Sequence, residues 1–144
     1  MKSFKEFINE GDDAYKGTHR APNKDFGAPL HDVSSNGMYP ANVYSDKAAH
    51  LYGVGDDVND RAVINKIHSV RNKPESKVDV YRAVPKDAPD KINHGDWVTI
   101  HKPYAKQHGE SVLNNNYKII HEKHPAKHIY TNADSIYEFG LDKR

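Results

Sequence analysis

The chain has 144 residues, which suits one domain and leaves little room for two. Its 21 basic and 20 acidic side chains nearly cancel, which excludes DNA condensation by bulk charge and leaves nucleic-acid binding only to a local patch. There is no cysteine for disulfides or thiolate chemistry, and no run of eighteen apolar residues that would make a membrane a partner.

The chain opens "MKSFKEFINEG". Phe4, Phe7 and Ile8 fall at i, i+3 and i+4, an apolar stripe one turn long. One turn cannot hold a helix alone, because nucleation costs more than so few hydrogen bonds return. The stripe therefore docks on its own domain or is read by another protein. It lacks the apolar stretch of a secretory signal. Residues 11–40 are rich in Gly, Pro, Asn, Asp and Ser. They read as an ordered loop pinned by Phe26, Leu30, Met38 and Tyr39, or as a mobile arm. "SDKAAHLYG" predicts a short helix with Ser45 as N-cap and Gly53 as its stop. "GVGDDVND" is a turn-rich link without the spacing of a phosphate loop.

"VNDRAVINKIHSVRNKP" gives the clearest helix, with Val63, Ile64, Ile67 and Val70 on one face and Pro74 closing it. "VDVYRAVP" predicts a half-buried strand and "DWVTI" a second. "PYAKQHGESVL" predicts a helix with Pro103 in its first turn. "YKIIHEK" and "AKHIYTN" predict further strands, and "DSIYEFGLDKR" alternates at the end. Helices first, then strands with one helix between them, predict an α+β domain. Nine Tyr, four Phe and one Trp supply much of its lean core.

Three polar residues interrupt these strands: Arg82, Thr99 and Glu138. A strand Arg usually faces solvent, but three in consecutive strands suggest a site. An Arg can hold a diphosphate through a charge-assisted fork. A hydroxyl can orient a carboxylate or ribose, and a Glu can stabilise a cationic sugar centre. Glu110 is a rival carboxylate on a helix expected to face solvent. His121, His124 and His128 have a spacing that invites a zinc reading. Pro125 breaks the helix that would align them, no clear fourth ligand follows, and "HEKH" lacks the zinc-protease spacing, so no metal is expected. His31, in the loop "PLHDVSS", could line a cleft.

The order Arg, Ser/Thr, Glu on successive strands resembles the ADP-ribosyltransferases of the Arg-Ser/Thr-Glu branch. "GAPLHDVSSNGMYPANVYS", "VYRAVP", "DWVTIHKPYAKQHGES" and "DSIYEFG" together resemble a small phage-associated domain of that kind, over roughly residues 26–142. The resemblance implies a compact split β-sheet with N-terminal helices and NAD as substrate. It implies Arg82, Thr99 and Glu138 as catalytic residues, and Tyr81, Arg82, Ala83, Thr99, Tyr104 and His31 around the cofactor. Arg82 would fix the diphosphate, Tyr104 or Tyr81 would stack on nicotinamide, and Glu138 would stabilise a ribosyl oxocarbenium ion. The pattern departs in "VTI", which has one hydroxyl, and in "IYE", where Ile136 cannot accept a proton; arginine is therefore not implied as acceptor.

"MKSFKEFINEG" resembles the capsid-targeting peptides of T-even-type phage internal head proteins, which a prohead protease cuts after a Glu. The resemblance implies a targeting segment at 1–10, cleavage between Glu10 and Gly11, and a domain at 11–144. Partners would be the prohead protease and scaffold through residues 1–10, and later an unidentified host protein or nucleic acid that accepts ADP-ribose. The protein would be packaged in the virion head as a monomer and injected into the host cytoplasm as an anti-defence or takeover effector. The alternative is an inactive domain of the same fold that inhibits a host defence nuclease by binding it.

Overall fold

The computed structural model describes residues 20–144; the apolar stripe and the Glu10–Gly11 junction lie outside the described residues. The loop from Arg20 onward is anchored by Leu30, Val33 and Tyr39, all buried, while Phe26 is exposed. It contains the two-residue strand β1 (Ala28–Pro29) and three 3-10 turns. Helix α1 (Ala48–Tyr52) begins after Ser45 rather than on it. The Ser45 hydroxyl donates to the Asn42 carbonyl at 2.7 Å, and so closes the turn Ala41–Tyr44 instead of capping the helix.

Helix α2 (Asp57–Ser69) is capped by Asp56, whose side chain accepts from the Asn59 N–H at 3.3 Å. Asp57 and Asp60 in its first turn suit the positive end of the helix dipole. Its buried face carries Val63, Ile64 and Ile67, as the periodicity predicts, and also Asp60. The helix ends at Ser69, short of Pro74, because Asn72 turns the chain with φ 62°.

Strand β2 (Lys77–Pro85) pairs antiparallel with β4 (Tyr117–Pro125) along its whole length. Between them lie β3 (Trp97–Val98) and helix α3 (Lys102–Val112). A 3-10 turn, Ala126–His128, leads to β5 (Ile129–Thr131), and β6 (Phe139–Leu141) ends the fold. The order in the second sheet is β1-β5-β6-β3. The two sheets meet at one rung, where Tyr81 and Thr99 exchange backbone hydrogen bonds of 2.8 and 3.0 Å.

Several strands are shorter than their sequences suggest. "DWVTI" forms a ladder only over Trp97–Val98, and Ala126–His128 is a turn rather than part of a strand. Ile136, Tyr137 and Glu138 lie in the approach to β6, not on it. The architecture is mixed α+β, with one main core between α2 and the sheets. Leu30, Ile67, Ile92, Ile100 and Phe139 are fully buried there, each worth about 1.5–3 kcal/mol relative to exposure. Among the described residues no helix is long and apolar enough to cross a membrane.

Candidate functional site

Of the three polar residues, Arg82 lies on β2, Thr99 just after β3 and Glu138 just before β6. The β3–β6 ladder pairs Trp97 with Gly140 and Val98 with Phe139, so Thr99 just after β3 and Glu138 just before β6 lie at the same end of that ladder. Thr99 is also the rung to β2, next to Arg82. Thr99 is almost fully buried, and its hydroxyl accepts from the His101 N–H at 3.2 Å at the start of α3. It thereby fixes how that helix leaves the sheet.

Glu138 is only 3% exposed. The Tyr104 hydroxyl, on α3, donates to its Oε1 at 2.5 Å. Tyr104 stacks on Tyr137 with centroids 5.1 Å apart and planes 16° from parallel. The Tyr137 hydroxyl donates to Asp60 Oδ1 at 2.5 Å. The Asp60 carboxylate also accepts from the Val54 and Gly55 N–H groups at 3.0 and 3.1 Å. Gly53 is required beside it, since a Cβ there would lie 2.2 Å from Asp60 Oδ2. Burial, and next the Glu138 charge, hold the Tyr104 hydroxyl well above its ordinary pKa; burial and Asp60 do the same for Tyr137. Both hydroxyls therefore stay protonated and donate. The row Asp60, Tyr137, Tyr104, Glu138 braces one carboxylate against another across the domain.

Arg82 crosses from β2 toward β3. Its Nη1 donates to the Trp97 carbonyl at 2.8 Å, and its Nε lies 3.8 Å from Asp96 Oδ2. The guanidinium lines a cleft of about 340 Å³ with Arg20, Asn23, His94, Asp96 and Trp97. Gly95 turns the chain at this rim with φ 89°. The segment that brings Arg20 here is tied to the C-terminus by Asp142, which accepts from the Lys24 N–H at 2.9 Å and pairs with Arg144. That pairing holds the Asp142 carboxyl well below the usual carboxylate range. Among the described residues that line it, two arginines stand against one carboxylate, a balance that suits an anion. Behind it His108 is pushed down to about 4, by burial first and Arg82 second, so it adds no charge at neutral pH.

Tyr104 packs against the small cluster of Ala21 and Trp97 at this cleft, and it also lines a second cleft of about 100 Å³. The second is lined by Tyr104 and Tyr137, by Pro103 and Val54, and by Asp56, Asn59 and His101.

Of the other residues singled out from the sequence, Ala83 is buried in β2. Tyr81 stacks on His121 of β4, at 5.0 Å, on the face opposite Arg82. Neighbouring strand residues point opposite ways, so Tyr81 and Arg82 do not share the cleft. His31 lies in the turn Leu30–Asp32, bonded through its carbonyl to Asn72, and lines neither cleft. Glu110 is exposed on α3. His121 and His124 pair with Asp79 and Glu122 instead of with each other. No group of side chains suited to a metal exists among the described residues. Asp60, Tyr137, Asn59 and His101 were not singled out by sequence. Only the Asp56–Asn59 spacing signals anything locally, as a helix start.

Comparison with protein-family models, with curated proteins and with solved structures gave no match.

Proposed function

We propose that the protein is an NAD-dependent ADP-ribosyltransferase. The observation that carries this reading is the placement of Arg82, Thr99 and Glu138 around one strand junction, with Glu138 braced by Tyr104. The anion-binding cleft suits the NAD diphosphate, with Arg82 and Arg20 as its cations. Glu138, at the far side of Trp97 and Tyr104, supplies negative charge where the ribose becomes an oxocarbenium ion. The Tyr104 hydroxyl marks where a ribose hydroxyl would replace it on the carboxylate. The nicotinamide bond then breaks in a substrate already held at both ends. The test is calorimetric titration with NAD. Wild type is expected to bind, and Arg82→Ala to bind about tenfold or more weakly, since a charge-assisted fork contributes roughly 1.5–3 kcal/mol. Equal affinity in the two proteins would remove Arg82 from the site.

The same reading includes delivery from a phage head, resting on the resemblance of residues 1–10 to a capsid-targeting peptide. Mass spectrometry of purified virions is expected to find the chain starting at Gly11. An intact Met1 end, or no copy in the head, would contradict delivery. The reading as a binding inhibitor of a host defence nuclease is favoured by one observation: Glu138 and Thr99 are 3% and 1% exposed, so the carboxylate is covered. It would be chosen if wild type neither binds nor cleaves NAD.

A further inference from the structure

Beside its two arginines, the first cleft is lined by Asn23 and His94. Each of these side chains can accept or donate, and in each the backbone settles which. Asn23 Oδ1 accepts from the Asp25 N–H at 2.8 Å, an Asx turn that fixes the amide. Its carbonyl is thereby used, and the group it has left to offer is the NH₂, which only donates. His94 Nδ1 accepts from the Lys143 N–H at 3.1 Å. That contact needs a bare Nδ1, so the neutral ring carries its proton on Nε2. Asp142 Oδ1 lies 3.5 Å from the same nitrogen but is already taken by the Arg144 N–H and Nε, each at 3.0 Å. The His94 side chain is 47% exposed, so Nε2–H is within reach of a ligand. Asp96 accepts from the Asn93 N–H through Oδ2 at 2.8 Å and stands against Arg82. Backbone N–H groups thus occupy an acceptor on each of these three side chains, and donors are left over.

The donors are also held in place. The turn carrying His94 is closed by the Asp96 N–H on the Asn93 carbonyl and tied to β6 by the Gly95 N–H on the Leu141 carbonyl, at 3.1 and 2.7 Å. The segment carrying Arg20 and Asn23 is tied to the same C-terminal stretch, through Lys24 to Asp142 and through Asp25 to Arg144. Phe26, exposed and without a place in the core, holds the Arg20 guanidinium 5.8 Å from its ring centroid. Residues 141–144 therefore clamp two walls of the cleft, and Arg82 reaches in from β2. A ligand that must donate finds few acceptors here, whereas one that only accepts meets donors from three segments of the chain. We propose that the first cleft is a phosphate site in which the Asn23 amide and the His94 Nε2–H grip the anion that Arg82 and Arg20 attract. For NAD as the source of the phosphate the inference rests on the transferase reading; the donor set itself does not.

The first test is nitrogen-15 NMR of the full chain at mildly alkaline pH. His94 is expected to show a protonated Nε2 and a bare Nδ1. Titrated pyrophosphate should shift the His94 Nε2–H and the Asn23 NH₂ resonances saturably, and chloride at matched ionic strength should not. The second test is calorimetry with pyrophosphate. Asn23→Asp keeps the acceptor for the Asp25 N–H and replaces the donor with a carboxylate oxygen, so affinity should fall about tenfold or more with the melt unchanged. Asn132→Asp is the matched control, because Asn132 Oδ1 also accepts from the N–H two residues on but does not line the cleft. It adds the same charge and should bind like wild type. A bare Nε2 on His94, no saturable response to pyrophosphate, or a loss in Asn23→Asp no larger than in Asn132→Asp overturns the proposal. NAD binding that leaves the Asn23 and His94 resonances unmoved also overturns it, while the transferase reading stands. Pyrophosphate bound through both side chains, with NAD neither bound nor cleaved, supports the phosphate site and removes the transferase reading.

Discussion

Glu138→Gln is expected to reduce nicotinamide release from NAD by about a hundredfold or more, with the fold retained. Glutamine keeps the shape of the side chain, and its carbonyl can still accept from the Tyr104 hydroxyl at the position of Oε1. Packing around a nearly buried residue is therefore preserved. What disappears is the negative charge, which works hardest in a site closed to water. The measurement is nicotinamide release by chromatography, beside a thermal melt that confirms folding. Near-normal turnover in this variant, with loss in Glu110→Gln, would move the role to the exposed carboxylate on α3.

Asp60→Ala is expected to cost ~3 kcal/mol of stability, roughly 10 °C in Tm. The substitution leaves the buried Tyr137 hydroxyl without its acceptor and frees the N–H groups of Val54 and Gly55. The residues of the 53–55 turn then lose what closes them onto α2. Asp57→Ala is the comparison, since its pair with Arg61 is exposed on both sides and should change stability by no more than about 0.5 kcal/mol. Urea unfolding of both variants checks the difference. A loss for Asp60→Ala no larger than that for Asp57→Ala would mean that Asp60 does not brace the aromatic row.

The elements legible in the sequence were those with room for a period. α2 repeats its apolar residues over three turns, and β2 and β4 run nine residues each, so both patterns stand out. Pro103 marked the first turn of α3 correctly. The strands β1, β5 and β6 have two or three residues each and are held by neighbours far away in sequence, so "AKHIYTN" and the alternating end pointed to β5 and β6 without their bounds, and nothing local announced β1. Arg82, Thr99 and Glu138 were visible as polar interruptions, but their meeting depends on a single rung and a two-pair ladder. Tyr81 looked equivalent to Arg82 because adjacency in sequence hides the alternation of faces. The braces were out of reach altogether. Asp60 and Tyr137 are 77 residues apart, and Asn59 and His101 are 42 apart. Contacts of that span follow from the packed fold and not from any spacing.

The central claim is that this strand junction cleaves NAD and passes ADP-ribose on. Incubating the full chain with adenine-labelled NAD and a bacterial lysate tests it most directly. The account predicts free nicotinamide from wild type and label fixed to a macromolecule, both lost in Glu138→Gln. NAD left intact after prolonged incubation with the folded wild-type protein, and no label on any component, would contradict it.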